Sequence, residues 1–136
     1  MSMFTTAPRP DDATVRDTLD HVAAHPDSDL VTAVLASRAG VSPRQLTRLF
    51  REHLGEPPGS AVRRIRLEIA ARLTATTDLP LSQVARRCGF SSGESLRQAF
   101  VAKFGVSPRA FRQTLTRSAV PAPESAAGGS GTPRAR

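Results

Sequence analysis

Leu35-Ala36-Ser37-Arg38-Ala39-Gly40-Val41-Ser42, followed by Leu46, Phe50, Leu54-Gly55 and Pro58, is one half of a pattern that the chain writes twice. Its counterpart is Val84-Ala85-Arg86-Arg87-Cys88-Gly89-Phe90-Ser91, then Leu96, Phe100, Phe104-Gly105 and Pro108. Up to the serine the copies are offset by 49 residues and after it by 50, so the second turn is one residue longer. Each copy reads as a short apolar helix, a glycine that stops it, and a capped second helix. That is the sequence form of a helix-turn-helix. Two of them in one small basic chain point to DNA.

Working outward, the segments around the repeat are also helical in pattern. From Asp12 to Ala24, Val15, Leu19, Val22 and Ala23 fall on one face, and the helix ends before His25-Pro26-Asp27. A second helix covers about Val31 to Ala39. The repeat aligns Thr32 with Leu81, where an inward apolar residue is expected, so Val31 or Val34 is the candidate to fill that place. The third helix begins at Ser42-Pro43, with Gln45 completing a capping-box pattern. Its buried face is Leu46, Leu49 and Phe50, with His53 at the margin. A longer helix spans 59–76, with Val62, Ile65, Ile69 and Leu73 in one stripe and Leu67, Ala70 and Ala71 widening it. So broad a stripe suits a helix packed between two lobes.

A fifth helix follows, Leu81 to Cys88, then a sixth from about Gly93 to Phe104 with Ser92 as cap and Leu96, Phe100 and Phe104 inward. Ser107-Pro108 opens a seventh that ends near Arg117, with Phe111 and Leu115 inward. No alternating strand pattern occurs, so the expected fold class is all-α. The expected domain covers 12–117, with lobes at about 31–55 and 80–105, a linker helix at 59–76 and a final helix at 107–117. Residues 1–11 lack periodicity, and residues 118–136 are rich in Ala, Gly, Pro and Ser; both ends are expected to be disordered.

The 136 residues carry a net charge of +7, unevenly spread. Residues 1–29 set two basic residues against six acids, whereas residues 30–117 set 15 against five, a balance of +10. The positive excess therefore lies with the repeat, as a polyanion-binding surface requires. Only Lys103 of the 19 basic residues is lysine. Codon bias alone accounts for such a preference, although arginine is also the side chain best shaped to fork onto phosphate or guanine. The single Cys88 rules out an internal disulfide and a thiolate metal site, and it fits a reducing cytoplasm. The histidines at 21, 25 and 53 have no ligand spacing, and no nucleophile triad or glycine-rich phosphate loop is present. Neither metal, cofactor nor catalysis is expected, and there is no long apolar run for a membrane.

From about Ala13 to Arg117 the chain resembles the AraC/XylS-type DNA-binding domain, two helix-turn-helix lobes bridged by a long helix. The residues that carry the resemblance are Arg66-Leu67, Ala70, Leu73, Thr77-Asp78-Leu79, Val84-Ala85, Cys88-Gly89-Phe90, Leu96, Phe100, Phe104-Gly105, Ser107-Pro108 and Phe111-Arg112. One departure is Gly93, where that family often has an aromatic or large polar residue. The resemblance implies a transcription regulator that places two recognition helices in adjacent major-groove segments. It leaves open whether the chain is a stand-alone regulator or the DNA-binding end of a longer one with a sensor.

In such a fold, side chains between the buried positions of each second helix face the groove. In the first lobe these are Arg44, Gln45, Thr47, Arg48 and Arg51. Arg44 and Arg48 lie four apart, and either can fork onto guanine O6 and N7 or onto phosphate. The resemblance favours Arg48 as base reader, and Arg51 as a backbone contact; Gln45 has a second reading as the capping partner of Ser42. In the second lobe Ser92, Glu94, Ser95, Arg97 and Gln98 are exposed by the same logic. Gln98 can pair with adenine, while Glu94 can accept from cytosine N4 or simply complement a helix N-terminus. Ser42, Ser92 and Ser107 stand at helix starts, where phosphates bind readily.

The leading reading is a monomeric, cytoplasmic, sequence-specific DNA-binding regulator, with RNA polymerase as a candidate protein partner. A sequence-tolerant nucleoid-type binder and a protein–protein adaptor without DNA binding are the competing classes. The first competitor predicts a steep salt dependence without discrimination between sites.

Overall fold

In a computed structural model, which describes the backbone of residues 10–119 and the side chains of residues 11–115, seven helices account for most of the chain. They are α1 (Pro10–Ala24), α2 (Thr32–Ala39), α3 (Pro43–Leu54), α4 (Pro58–Thr76), α5 (Leu81–Cys88), α6 (Gly93–Phe104) and α7 (Pro108–Ala119). No strand occurs among the described residues, and the fold is all-α, as expected. Helix α1 starts two residues earlier than the periodicity suggested and α7 ends two later. Residues 10, 11, 118 and 119, expected to be disordered, are therefore helical. The rest of both expected disordered ends, 1–9 and 120–136, lies outside the described residues.

The repeat becomes two cores. Leu35, Ala36, Leu46, Leu49 and Phe50 of α2 and α3 pack with Val15 and Val22 of α1 and Ala61 and Val62 of α4. Val84, Ala85, Cys88, Leu96, Ala99 and Phe100 of α5 and α6 pack with Leu67 and Ala70 of α4. The matched pairs Ala36/Ala85, Leu46/Leu96 and Phe50/Phe100 are all buried. Helix α4 supplies its first turns to one core and its middle to the other. Its wide apolar face thus serves two lobes, as the stripe indicated. Ile65, Ile69 and Leu73 lie at the margins of that face rather than at its centre.

Three inward assignments are corrected. Val31 and Val34 are 58% and 39% exposed, and Leu30 fills the first lobe instead, arriving from the loop before α2. Phe104 is 37% exposed; it sits on the last turn of α6, where Phe100 and Phe111 cover only one side of its ring. The matching Leu54 is equally open at 36%, so this position of the repeat is peripheral in both lobes. Leu115 is exposed as well, because α7 packs on the second core through Phe111.

Each helix-turn-helix turn is closed in the same way. Val41 N–H donates to Ala36 O and Phe90 N–H to Ala85 O, which ties the chain beyond each glycine back to the preceding helix. Gly40 and Gly89 occupy the left-handed region, at φ 76° and 89°. They differ in surroundings. A Cβ on Gly40 would meet open space, whereas one on Gly89 would collide with the Pro26 carbonyl oxygen and lie 2.7 Å from Arg66 Nε. Arg66, in the middle of α4, donates from Nε to Pro26 O at 2.9 Å and from a terminal nitrogen to Ser28 O at 3.1 Å. The second lobe's turn therefore rests on an arginine that grips the first lobe's α1–α2 loop.

This contrast predicts unequal costs for one substitution. Gly40→Ala should lose about 1–2 kcal/mol, the left-handed penalty alone. Gly89→Ala should lose clearly more in urea unfolding, because its methyl must also displace Pro26 and Arg66. Equal losses would show that the close approach is not limiting.

A pH dependence follows from α1. His21 Nδ1 is shielded from solvent without a hydrogen-bond partner, and the His25 ring lies 5.0 Å away. Burial lowers the His21 pKa first, and Arg38 and His25 lower it further. Its folded pKa thus lies below the unfolded value, so the neutral form's stabilisation is complete above about pH 6.5 and is lost as pH falls below it. The melting temperature should drop between pH 7 and pH 5.5, and His21→Gln should shrink that drop. An unchanged drop in the variant would assign the effect to other groups.

Candidate nucleic-acid interface

The two second helices, α3 and α6, bury Leu46, Leu49 and Phe50 in one lobe and Leu96, Ala99 and Phe100 in the other. Burying those positions turns the intervening ones outward. Arg44, Gln45, Arg48 and Arg51 are exposed on α3, with Thr47 half-buried. On α6, Ser92, Glu94, Arg97 and Gln98 are exposed and Ser95 is half-buried. The structure therefore collects the ten candidate residues on two helix faces, five on each.

Both helices start alike. Ser42 Oγ accepts from Gln45 N–H, and Ser92 Oγ from Ser95 N–H, each at 3.0 Å. The Ser42 half of the capping box is formed, and among the described residues the Gln45 side chain makes no return bond. The amide of Gln45 is thereby satisfied and its side chain is left to the surface. Ser107 caps α7 in the same manner through Ala110 N–H.

The polar groups on the two faces are arranged differently. On α3, Arg48 donates to the Glu52 carboxylate at 3.1 Å, an exposed pair one turn apart. Such a surface pair contributes only about 0.3–0.5 kcal/mol, so it does not prevent Arg48 from taking another partner. Among the described residues Arg44 and Arg51 have no ion-pair partner. On α6, Arg97 forks onto Glu94, with Nε to Oε1 at 2.9 Å and a terminal nitrogen to Oε2 at 2.6 Å. Gln98 Nε2 donates to the same carboxylate at 3.1 Å. The Arg97 hydrogen bond holds the Glu94 carboxyl below the usual carboxylate range, and Glu94 raises Arg97 in turn.

The other arginines of the basic segment fall into two groups, those held within the fold and those left exposed. Arg64 binds Glu56 at 2.8 Å and lies 3.5 Å from Glu68, closing the α3–α4 loop onto α4. Arg66 grips the α1–α2 loop. Arg112 Nε donates to Thr74 O at 3.0 Å, fixing α7 to the end of α4. Arg63, Arg86 and Arg87 stay exposed. The role of Glu52 as partner of Arg48 was missed, although its spacing of four residues signals such a pair. His53, placed at the margin of the first core, pairs with Asp12 of α1 at 2.9 Å.

Among the described residues no three His, Cys, Asp or Glu side chains gather to hold an ion. Cys88 is fully buried in the second core, and burial pushes its thiol up to about 11, away from the reactive thiolate. No described helix is long and apolar enough to cross a membrane.

Residues 35–114 match the sequence profile of a helix-turn-helix domain family. The chain is 43% identical over 81 residues to the HTH-type transcriptional regulator Rv1931c of Mycobacterium tuberculosis, covering 60% of this chain and 31% of that protein. It is 40% identical over 112 residues to the regulator CdhR of Pseudomonas aeruginosa, covering 82% of this chain and 33% of CdhR. It thus spans about a third of the length of these relatives. Among solved structures, an AraC-type regulator from Chromobacterium violaceum superposes with a TM-score of 0.72 at 30% identity, covering 77% of this chain and 94% of that one. The DNA-binding domain of AdpA, solved with a target DNA, gives 0.70 at 32% identity, covering 82% and 96%. With two capped lobes on one shared helix and this likeness along nearly the whole of both solved domains, the chain belongs to the AraC-type family of helix-turn-helix transcription regulators and forms its DNA-binding domain.

Proposed function

We propose that the chain regulates transcription by laying α3 and α6 into adjacent major-groove segments on one face of a DNA duplex, as a monomer. The observation that carries this reading is the pair of equivalent helices, each capped by a serine, buried on one side and polar on the other. The solved AdpA domain, whose crystal contains a target DNA, supports DNA as the partner. The role is non-catalytic and belongs to the bacterial cytoplasm, with RNA polymerase as the proposed second partner.

The lobes contribute unequally. Arg44, Thr47 and Arg48 offer two forked donors and a methyl group that can meet thymine. Arg48 is the proposed base reader, Arg44 a second fork for guanine or phosphate, and Arg51 a backbone contact. The α6 face offers Gln98 for adenine and Arg97 for phosphate, with Ser42 and Ser92 marking helix starts whose free amides suit phosphate oxygens.

Selection of bound sequences from a random duplex pool tests the reading. One enriched, asymmetric site should emerge, with half-sites about 10 bp apart. Arg48→Ala should cost about 1–3 kcal/mol at that site and relax preference at one base position. Unenriched binding would favour a sequence-tolerant binder, no binding would favour a protein adaptor, and an equal loss on all duplexes would make Arg48 a backbone contact.

A further inference from the structure

The two recognition helices carry opposite charge at the same place. After the turn the repeat runs at an offset of 50, so Glu94 of α6 stands where α3 has Arg44, and Gln98 stands where α3 has Arg48. Arg44 is an exposed cation on the first turn of α3. Glu94 is an anion on the first turn of α6, and it collects two of the other polar side chains of that face, Arg97 by a two-point fork and Gln98 by one bond. Helix α3 has its own pair, Arg48 with Glu52, but there a single guanidinium nitrogen makes the contact, whereas the Arg97 fork engages two.

We propose that Glu94 is a specificity-determining residue that acts through Arg97 and Gln98, suppressing DNA binding wherever the duplex offers α6 nothing but phosphate. It rests on the functional reading above. At a random site, Arg97 can leave Glu94 only to meet a phosphate, exchanging one anion for another. Glu94 is then left uncompensated beside the negatively charged backbone, and little is gained. At the proper site, an adenine edge offers Gln98 a donor together with an acceptor, which a carboxylate cannot, and that gain offsets the cost of releasing Glu94. The penalty therefore falls on the wrong sites more than on the right one, which is discrimination by repulsion. Attraction is supplied by the first lobe, where Arg44 and Arg51 face no such acid. Glu94 is ionised at neutral pH like any exposed carboxylate.

The test compares the site selected by the unaltered protein with a random duplex of equal length, across a salt series. Four variants are measured: Glu94→Gln, Arg97→Ala, the double variant, and Asp17→Asn. The last removes the same charge from α1, which packs against α2, α3 and α4. Circular dichroism melting verifies that each variant is folded.

Glu94→Gln should raise random-duplex affinity about five- to tenfold and steepen its salt slope by about 0.9, one released phosphate contact. Affinity for the selected site should change less, so the ratio between sites shrinks. Asp17→Asn should show only a small uniform gain. In the Arg97→Ala background, Glu94→Gln should still relieve repulsion but should no longer steepen the salt slope, because no arginine is left to release. The inference is overturned if Glu94→Gln behaves like Asp17→Asn, or if the steeper slope persists without Arg97. A loss confined to the selected site overturns it too, since Glu94 would then read a base itself. If the unaltered protein discriminates between no duplexes, the functional reading fails, and the inference with it.

Discussion

One half-buried arginine holds the two halves of this domain in a common frame. Arg66 extends from the middle of α4 to the carbonyl oxygens of Pro26 and Ser28, and Gly89 packs directly against it. Burial lowers the Arg66 pKa, and Asp27 and Asp29 oppose that shift from the same loop. A guanidinium is suited to the task because it stays charged when partly buried and its planar fork reaches two carbonyls at once. Without it, α4 would still join the lobes covalently. The turn of the second lobe would then lose its seat on the loop of the first, and the positions of α3 and α6 would be less tightly coupled.

Within that frame the chain uses one structural unit twice and varies its outer face in charge. The small and aromatic residues of the repeat recur in both cores because close packing leaves little choice of volume there. The exposed positions are free to differ, and they do so in charge: Arg44 against Glu94, Arg48 against Gln98. A duplicated lobe with unequal faces suits a DNA site without symmetry. It needs no second chain to supply the second contact, in contrast to helix-turn-helix dimers on palindromes.

Much of this was legible in the sequence because it depends on local rules. Helix periodicity, the Ser42 and Ser92 caps and the glycine stops act over a few residues, and they placed six of the seven helix starts within one residue. The outward faces of α3 and α6 followed from the same spacing. What was not legible depends on depth or on distant partners. Periodicity gives the side of a helix and not how far neighbours extend over it, so Phe104 and Leu115 were placed inward although their helices overhang the core. Leu30 was missed since it precedes its helix and carries no phase. The grip of Arg66 on Pro26 joins residues 40 apart in sequence, and nothing near either residue announces it. The lock of Glu94 on Arg97 and Gln98 was within reach of sequence reasoning, because three- and four-residue spacing allows it. Competing uses for each side chain hid it.

The central claim is that a rigidly framed pair of lobes reads one continuous site. Binding to the selected duplex after inserting about 5 bp between its half-sites tests this most directly, since half a helical turn moves the second half-site to the opposite face. The account predicts that affinity falls to that of a duplex carrying one half-site alone. Retained affinity, with both half-sites still protected in a footprint, would show that the lobes move independently and would contradict the frame built on Arg66.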